Sequence, residues 1–239
     1  MSSRGQGISE NLATVRSRIR STAESVERDP DLITLIAVTK NFPVSDLRIL
    51  YDLGIRQFGE NRDQEALAKV DELPSDIDWH FQGQLQSNKL RSISSWAGTI
   101  HSLDQISHAN KLAQIRAEKS GQVARLKVFI QVNLKPEGIG AAKLSRGGVQ
   151  PEGLAQLTEK VLAFEELELL GLMAVAPLAS DPLTTFATLA EIHQNWLHLA
   201  PAARFLSCGM SGDFEAAIRA GATHLRIGSS ILGQRQPLI

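Results

Sequence analysis

Apolar positions along the chain follow two periods in turn. Ile8, Leu12, Val15, Ile19, Ala23 and Val26 recur at steps of three or four, with Arg16, Arg18, Arg20 and Glu24 off the stripe, which predicts one amphipathic helix. The next run, Leu32 to Lys40, is continuous, β-branched and aliphatic, the pattern of a strand buried on both faces of a parallel sheet. From there short apolar runs alternate with helical stretches. Strands are predicted over 56–61, 78–83, 99–104, 126–132, 167–175, 205–208 and 224–227. Helices are predicted over 44–53, 62–73, 87–93, 105–119, 151–164, 182–199 and 214–220, with a final turn over 229–233. The glycine-rich stretch 133–150 has no clear period and is expected to be a functional or mobile loop.

Strands that alternate with helices imply parallel pairing. Eight such units after one leading helix give an α/β fold, a closed (β/α)8 TIM barrel with an extra N-terminal helix, expected to form one domain over 1–239. An open doubly wound sheet would carry a Gly-x-Gly-x-x-Gly turn after the first strand, and Lys40 stands there instead. A formal net charge of −1 speaks against a nucleic-acid or membrane-surface partner. Cys208 is the only cysteine, which excludes an intrachain disulfide and a thiolate metal cluster. There is neither an apolar run of transmembrane length nor an apolar signal core behind Met1 to Gly7, so a soluble, cytoplasmic protein is expected.

In such a barrel the chemistry lies at the C-terminal ends of the strands. Those ends carry Lys40, Glu60 and Asn61, His80, His101 and Ser102, Asn133, Met173, the stretch 207–211, and Gly228 with Ser229. Lys40 reads either as a nucleophilic amine whose pKa apolar walls lower, or as a strand-end lysine reaching to solvent. Cys208 to Asp213 and Gly228 to Ser230 read either as a phosphate cup of inward N–H groups and serine hydroxyls, or as helix caps and a tight turn. A reactive lysine and a phosphate cup together fit pyridoxal 5′-phosphate (PLP), which offers an aldehyde to one and a phosphate to the other.

At this point the chain resembles a known family. Ala37 to Lys40, Gly54 to Glu65 with Phe58-Gly59-Glu60-Asn61, Trp79 to Lys89, Ile100 to Asp104, Gly209-Met210-Ser211-x-Asp213 with Ala217-Ile218, and Arg226-Ile227-Gly228 together resemble the pyridoxal phosphate homeostasis proteins. These are barrels similar to the N-terminal domain of alanine racemase, of the fold-type III class of PLP proteins. The resemblance implies a covalent aldimine between Lys40 and PLP. It implies phosphate contacts from Ser211, Gly212, Gly228 and Ser229, and places Asn61, Met210 and Arg226 around the cofactor, Arg226 facing the pyridine nitrogen. An arginine there keeps that nitrogen unprotonated, which makes the ring a poorer electron sink. The implied function is binding and intracellular homeostasis of PLP, indirectly of amino and keto acids, without turnover. PLP-dependent apo-enzymes are the candidate recipients, and a monomer is expected.

The chain departs from the family pattern at Arg62, where relatives often carry an aromatic residue, and at Ser229, where threonine is common. From Glu137 to Gly148 the usual acidic-x-x-Lys-x-Gly pattern is absent, which touches any role of Lys143 or Arg146. The alternative is a PLP-dependent amino-acid racemase. It needs an acid/base opposite the lysine, in two-domain racemases a tyrosine from a β domain; the only tyrosine here, Tyr51, falls in a helix. His193 and His198 are expected to be solvated, Trp79 and Trp196 to be core, and Cys208 to be a small buried hydrophobe. His80, Gln82 and Gln84 are expected to form a polar cluster.

Overall fold

The computed structural model describes residues 2–119, 124–134, 147–177 and 180–234. Helix α1 (Ser3–Glu24) leads, and a 3-10 turn at Pro30–Leu32 introduces strand β1 (Thr34–Val38). Then follow α2 (Val44–Asp52), β2 (Gln57–Glu60), α3 (Asp63–Val70), β3 (Asp78–Phe81), α4 (Leu90–Trp96), β4 (Thr99–Leu103), α5 (Ile106–Ala117) and β5 (Leu126–Gln131). A 3-10 turn at Pro151–Gly153 precedes α6 (Leu154–Leu162), β6 (Leu167–Met173), α7 (Pro182–Trp196), β7 (Phe205–Ser207), α8 (Phe214–Arg219), β8 (His224–Ile227) and α9 (Ser229–Leu232). The strands close in sequence order into one parallel barrel, β8 returning to β1.

The predicted order of elements is found throughout, and the differences lie at ends. β1 stops at Val38, two residues before the lysine. α4 lies three residues beyond its expected start because Leu90, Ile93 and Trp96 are the residues it buries. Trp96 Nε1 also donates to Asp63 Oδ1 at 3.0 Å and so ties α4 to α3. β5 and β6 slip register between Val128 and Phe129. Gly171 there has φ 156, and a Cβ on it would lie 1.8 Å from Phe205 O. Only glycine lets β6 and β7 approach so closely.

Helix α1 packs its stripe of Ile8, Leu12, Val15, Ile19 and Ala23 against α2, α8 and α9. Polar ties reinforce the contact: Arg4 pairs with Asp46 and donates to Leu232 O at 2.9 Å, and Asn11 donates to Ile231 O at 3.1 Å. The leading helix therefore supports the two short helices that follow β7 and β8. Trp79 and Trp196 are core residues, as expected. His193 is not solvated: it is buried in α7 and contacts Ala203 O at 3.0 Å, because the face it shares with Phe186, Leu189 and Trp196 turns inward. His198 is exposed. No helix among the described residues is long and apolar enough to cross a membrane.

Candidate functional site at the carboxyl mouth of the barrel

Lys40 stands half-buried in the turn after β1, followed by Asn41 at φ 65 in the left-handed region. The register of β1 with β2 pairs Val38 with Gly59, so Lys40 and Asn61 each stand two residues beyond that pair, just past the ends of these neighbouring strands. On the other side β1 pairs with β8, Ala37 opposite Ile227, and a Cβ on Gly228 would lie 3.0 Å from Val38 O. Closure of the barrel thus brings the lysine turn against the loop after β8.

The loop after β7 opens with Gly209 at φ 89, where a Cβ would sit 2.7 Å from that of Ala217. This glycine lets the chain turn tightly over α8. Asp213 Oδ1 accepts from Met210 N at 2.5 Å, and Met210 O accepts from Asp213 N and Phe214 N, which closes the turn. Ser211 joins the two loops. Its Oγ accepts from Gly228 N and Ser230 N, both at 3.2 Å, and its carbonyl accepts from Ser230 Oγ at 3.2 Å. A Cβ on Gly212 would meet nothing within 4 Å, so this main chain borders open space. Met210 and Ser229 are exposed on the same mouth.

Arg226 is buried inside the barrel. Its Nη1 donates to Ser207 O at 2.7 Å and Ser207 Oγ at 2.6 Å, and its Nη2 to Ala174 O at 3.0 Å. Burial lowers its pKa from the ordinary arginine value. From Ser207 a hydrogen-bond chain runs down the barrel. Ser207 Oγ lies 2.8 Å from His101 Nδ1, His101 Nε2 lies 2.8 Å from His80 Nδ1, and His80 Nε2 lies 2.6 Å from Gln57 Oε1. Gln57 Nε2 then donates to Asp78 Oδ2 at 2.8 Å. Arginine can only donate, so the Ser207 hydroxyl donates its O–H to His101 Nδ1, and each imidazole in turn accepts on Nδ1 and donates from Nε2. Burial depresses both histidines, His80 to about 3 and His101 well below its ordinary value, so both are neutral. His101 also stacks on Phe129 with centroids 4.6 Å apart.

One sequence reading is corrected here. His80, Gln82 and Gln84 do not form a cluster. His80 points into the barrel toward His101 and Gln57, Gln84 is exposed, and Gln82 Nε2 is buried without a partner, because β3 ends at Phe81 and the period of two that would put these residues on one face does not continue past it. Lys40, Asn61, Met210, Ser211, Gly212, Gly228 and Ser229 lie just past the ends of β1, β2, β7 and β8, whereas Arg226 lies within β8 with its side chain buried in the barrel. Lys143 and Arg146 lie outside the described residues. Cys208 is buried, and burial pushes its thiol up to about 12, so it is an inert hydrophobe beside the loop.

Sequence reasoning missed Lys69. It lies buried on α3 and donates to Thr39 O at 2.8 Å, Glu60 Oε1 at 2.7 Å and Glu65 Oε1 at 2.7 Å. The available signal was the i,i+4 pair Glu65–Lys69. Glu60 is fully buried, accepts from Thr39 Oγ1 at 2.6 Å, and is raised in pKa mainly by desolvation.

Residues 10–236 match the family model of the alanine racemase N-terminal domain. A pyridoxal phosphate homeostasis protein of Pseudomonas aeruginosa is 38% identical over 229 residues, covering 95% of this chain and 96% of that one. Its namesake in Escherichia coli is 36% identical over 235 residues, covering 95% and 97%. The chain belongs to the pyridoxal phosphate homeostasis protein family. Among solved structures, PipY of Synechococcus elongatus without PLP superposes with a TM-score of 0.82 at 34% identity, covering 95% of this chain and all of that one. The PipY structure with PLP bound gives 0.79 at 33% identity over the same shares. An alanine racemase of Corynebacterium glutamicum gives 0.69 at 14% identity and covers 60% of that longer chain, a likeness of fold alone.

Proposed function

We propose that this protein binds PLP at the carboxyl mouth of its barrel, attaches it covalently to Lys40, and holds it without turnover of its own. Its role is then the intracellular homeostasis of PLP, with PLP-dependent apo-enzymes as recipients. The observation that carries this reading is the closure of β8 on β1, which sets the Lys40 turn beside the loops after β7 and β8. Its relatives' names and the PLP-bound PipY structure support the choice of ligand.

The residues present fit the group. Gly228 N and Ser230 N converge on one hydroxyl, an arrangement that a phosphate oxygen can enter. Gly212 leaves open space beside them. At the ends of β2 and β3, Asn61 Oδ1 and Gln82 Nε2 are buried without a protein partner, polar capacity that a ligand or water must satisfy. When bound, PLP would supply an electrophilic aldehyde for the Lys40 amine and a phosphate dianion for the loops. Ser211, Ser229 and the main chain of Gly212 and Gly228 would hold that dianion, with Asn61 and Met210 as the further residues toward the ring. Arg226, fixed by Ser207 and Ala174, presents donors only, so a ring nitrogen facing it must be the acceptor.

The geometry gives no support to the racemase reading. Tyr51 lies at the far end of α2, where its hydroxyl donates to Asp76 Oδ1 at 2.8 Å and its ring is covered by the Arg56 guanidinium. That is the amino end of the barrel, away from Lys40. The test is to add PLP, reduce with borohydride and map the peptides. One reducible adduct at Lys40 is expected. An absent adduct, or one on another lysine, overturns the assignment. Rapid α-deuterium uptake by amino acids that vanishes in Lys40→Ala would overturn the lack of turnover.

A further inference from the structure

We propose that Glu65 and Lys69 of α3 are positioning residues that clamp the two peptide groups flanking Lys40 and so aim its amine into the mouth. The proposal rests on the Lys40 reading above. Lys69 Nζ donates to Thr39 O, the carbonyl just before Lys40, and Glu65 Oε1 accepts from Asn41 N, the amide just after it. One turn of one helix therefore holds both peptide planes whose orientation sets the Cα–Cβ direction of Lys40. The helix positions are four apart, so both side chains leave the same face.

The clamp has a cost that points to a purpose. Lys69 is 4% exposed, and its three N–H bonds are all taken, by Thr39 O, Glu60 and Glu65. Buried ion networks of this kind are weak contributors to stability, since apolar replacements often serve as well. Asn41 at φ 65 adds a strained backbone, which persists only where surrounding structure over-determines it and which gathers at functional turns. Thr39 Oγ1 to Glu60 fixes the same turn from beneath. The arrangement ends the strand at Val38 and turns Lys40 out of the ladder at a defined angle.

Glu65→Gln and Glu65→Asp separate this geometry from mere charge. Glutamine keeps an acceptor oxygen at the same reach to Asn41 N. Aspartate keeps the charge but falls one methylene short. The first readout needs no PLP: reductive methylation by formaldehyde and cyanoborohydride, followed at Lys40 by mass spectrometry. The second is the rate of PLP attachment at Lys40. Both rates are expected to fall in the order wild type, Gln, Asp, with Asp at least tenfold slower than wild type. Thermal midpoints, measured alongside, are expected to differ little between the two variants. Rates unchanged in Glu65→Asp, or Gln slower than Asp, would overturn the clamp. If wild-type Lys40 forms no PLP adduct but its methylation follows the predicted order, the PLP reading fails and the clamp stands.

Discussion

Acidification tests the neutral histidine chain inside the barrel. His80 is held down to about 3 and His224 to about 4, each chiefly by burial, whereas an unfolded chain protonates histidine near about 6.5. Between the folded and unfolded values the unfolded state binds more protons, so stability is present above about 6.5 and is lost as pH falls. Going from about pH 7.5 to about pH 5.0 costs about 2 kcal/mol for each such group, about 4 kcal/mol for the two. His101 adds loss in the same direction, since it too is held well below its ordinary value, first by burial and then by His80. A total of this size is a large share of the 5–15 kcal/mol, roughly, that holds a domain. Urea unfolding at half-unit pH steps measures it, with chromatography at each step to monitor association. His80→Gln is destabilised at neutral pH yet should lose about 2 kcal/mol less than wild type over the same pH interval. A stability flat from pH 7.5 to 5.0, or a slope unchanged in His80→Gln, would refute the neutral, one-directional hydrogen-bond chain.

Further outcomes follow from the same geometry. Ser211→Ala combined with Ser229→Ala should weaken PLP retention by about 1–3 kcal/mol per lost bond, read by dialysis against apo-enzyme, with Gly212 and Gly228 main chain leaving residual binding. Gly209→Ala should lose about 2 kcal/mol or more in chemical unfolding, because alanine resists φ 89 and its Cβ meets Ala217. Trp196→Phe should cost about 1 kcal/mol in the same assay, since it removes the 2.8 Å bond from the indole N–H to Thr158 Oγ1.

Periodicity alone determined the eight alternations and hence the barrel, because buried parallel strands must be apolar on both faces and their covering helices on only one. It also located the lysine at the end of β1 and the glycine and serine loops after β7 and β8, since strand ends are where apolar runs stop. The resemblance of short motifs then supplied a ligand that periodicity cannot name. Tertiary structure decided what depends on contacts between distant residues. Ser211 meets Gly228 and Ser230 only because β7 and β8 are neighbours. His80 and His101 face the barrel interior because of strand phase, and their partners Gln57 and Ser207 come from strands far apart in sequence. His193 turned inward for a similar reason, through the face its helix presents. Lys69 carried no mark of burial in its local sequence; only the packing of α3 against the ends of β1 and β2 sets Thr39 O and Glu60 beside Glu65 around its side chain and so fixes it on the carbonyl just before Lys40.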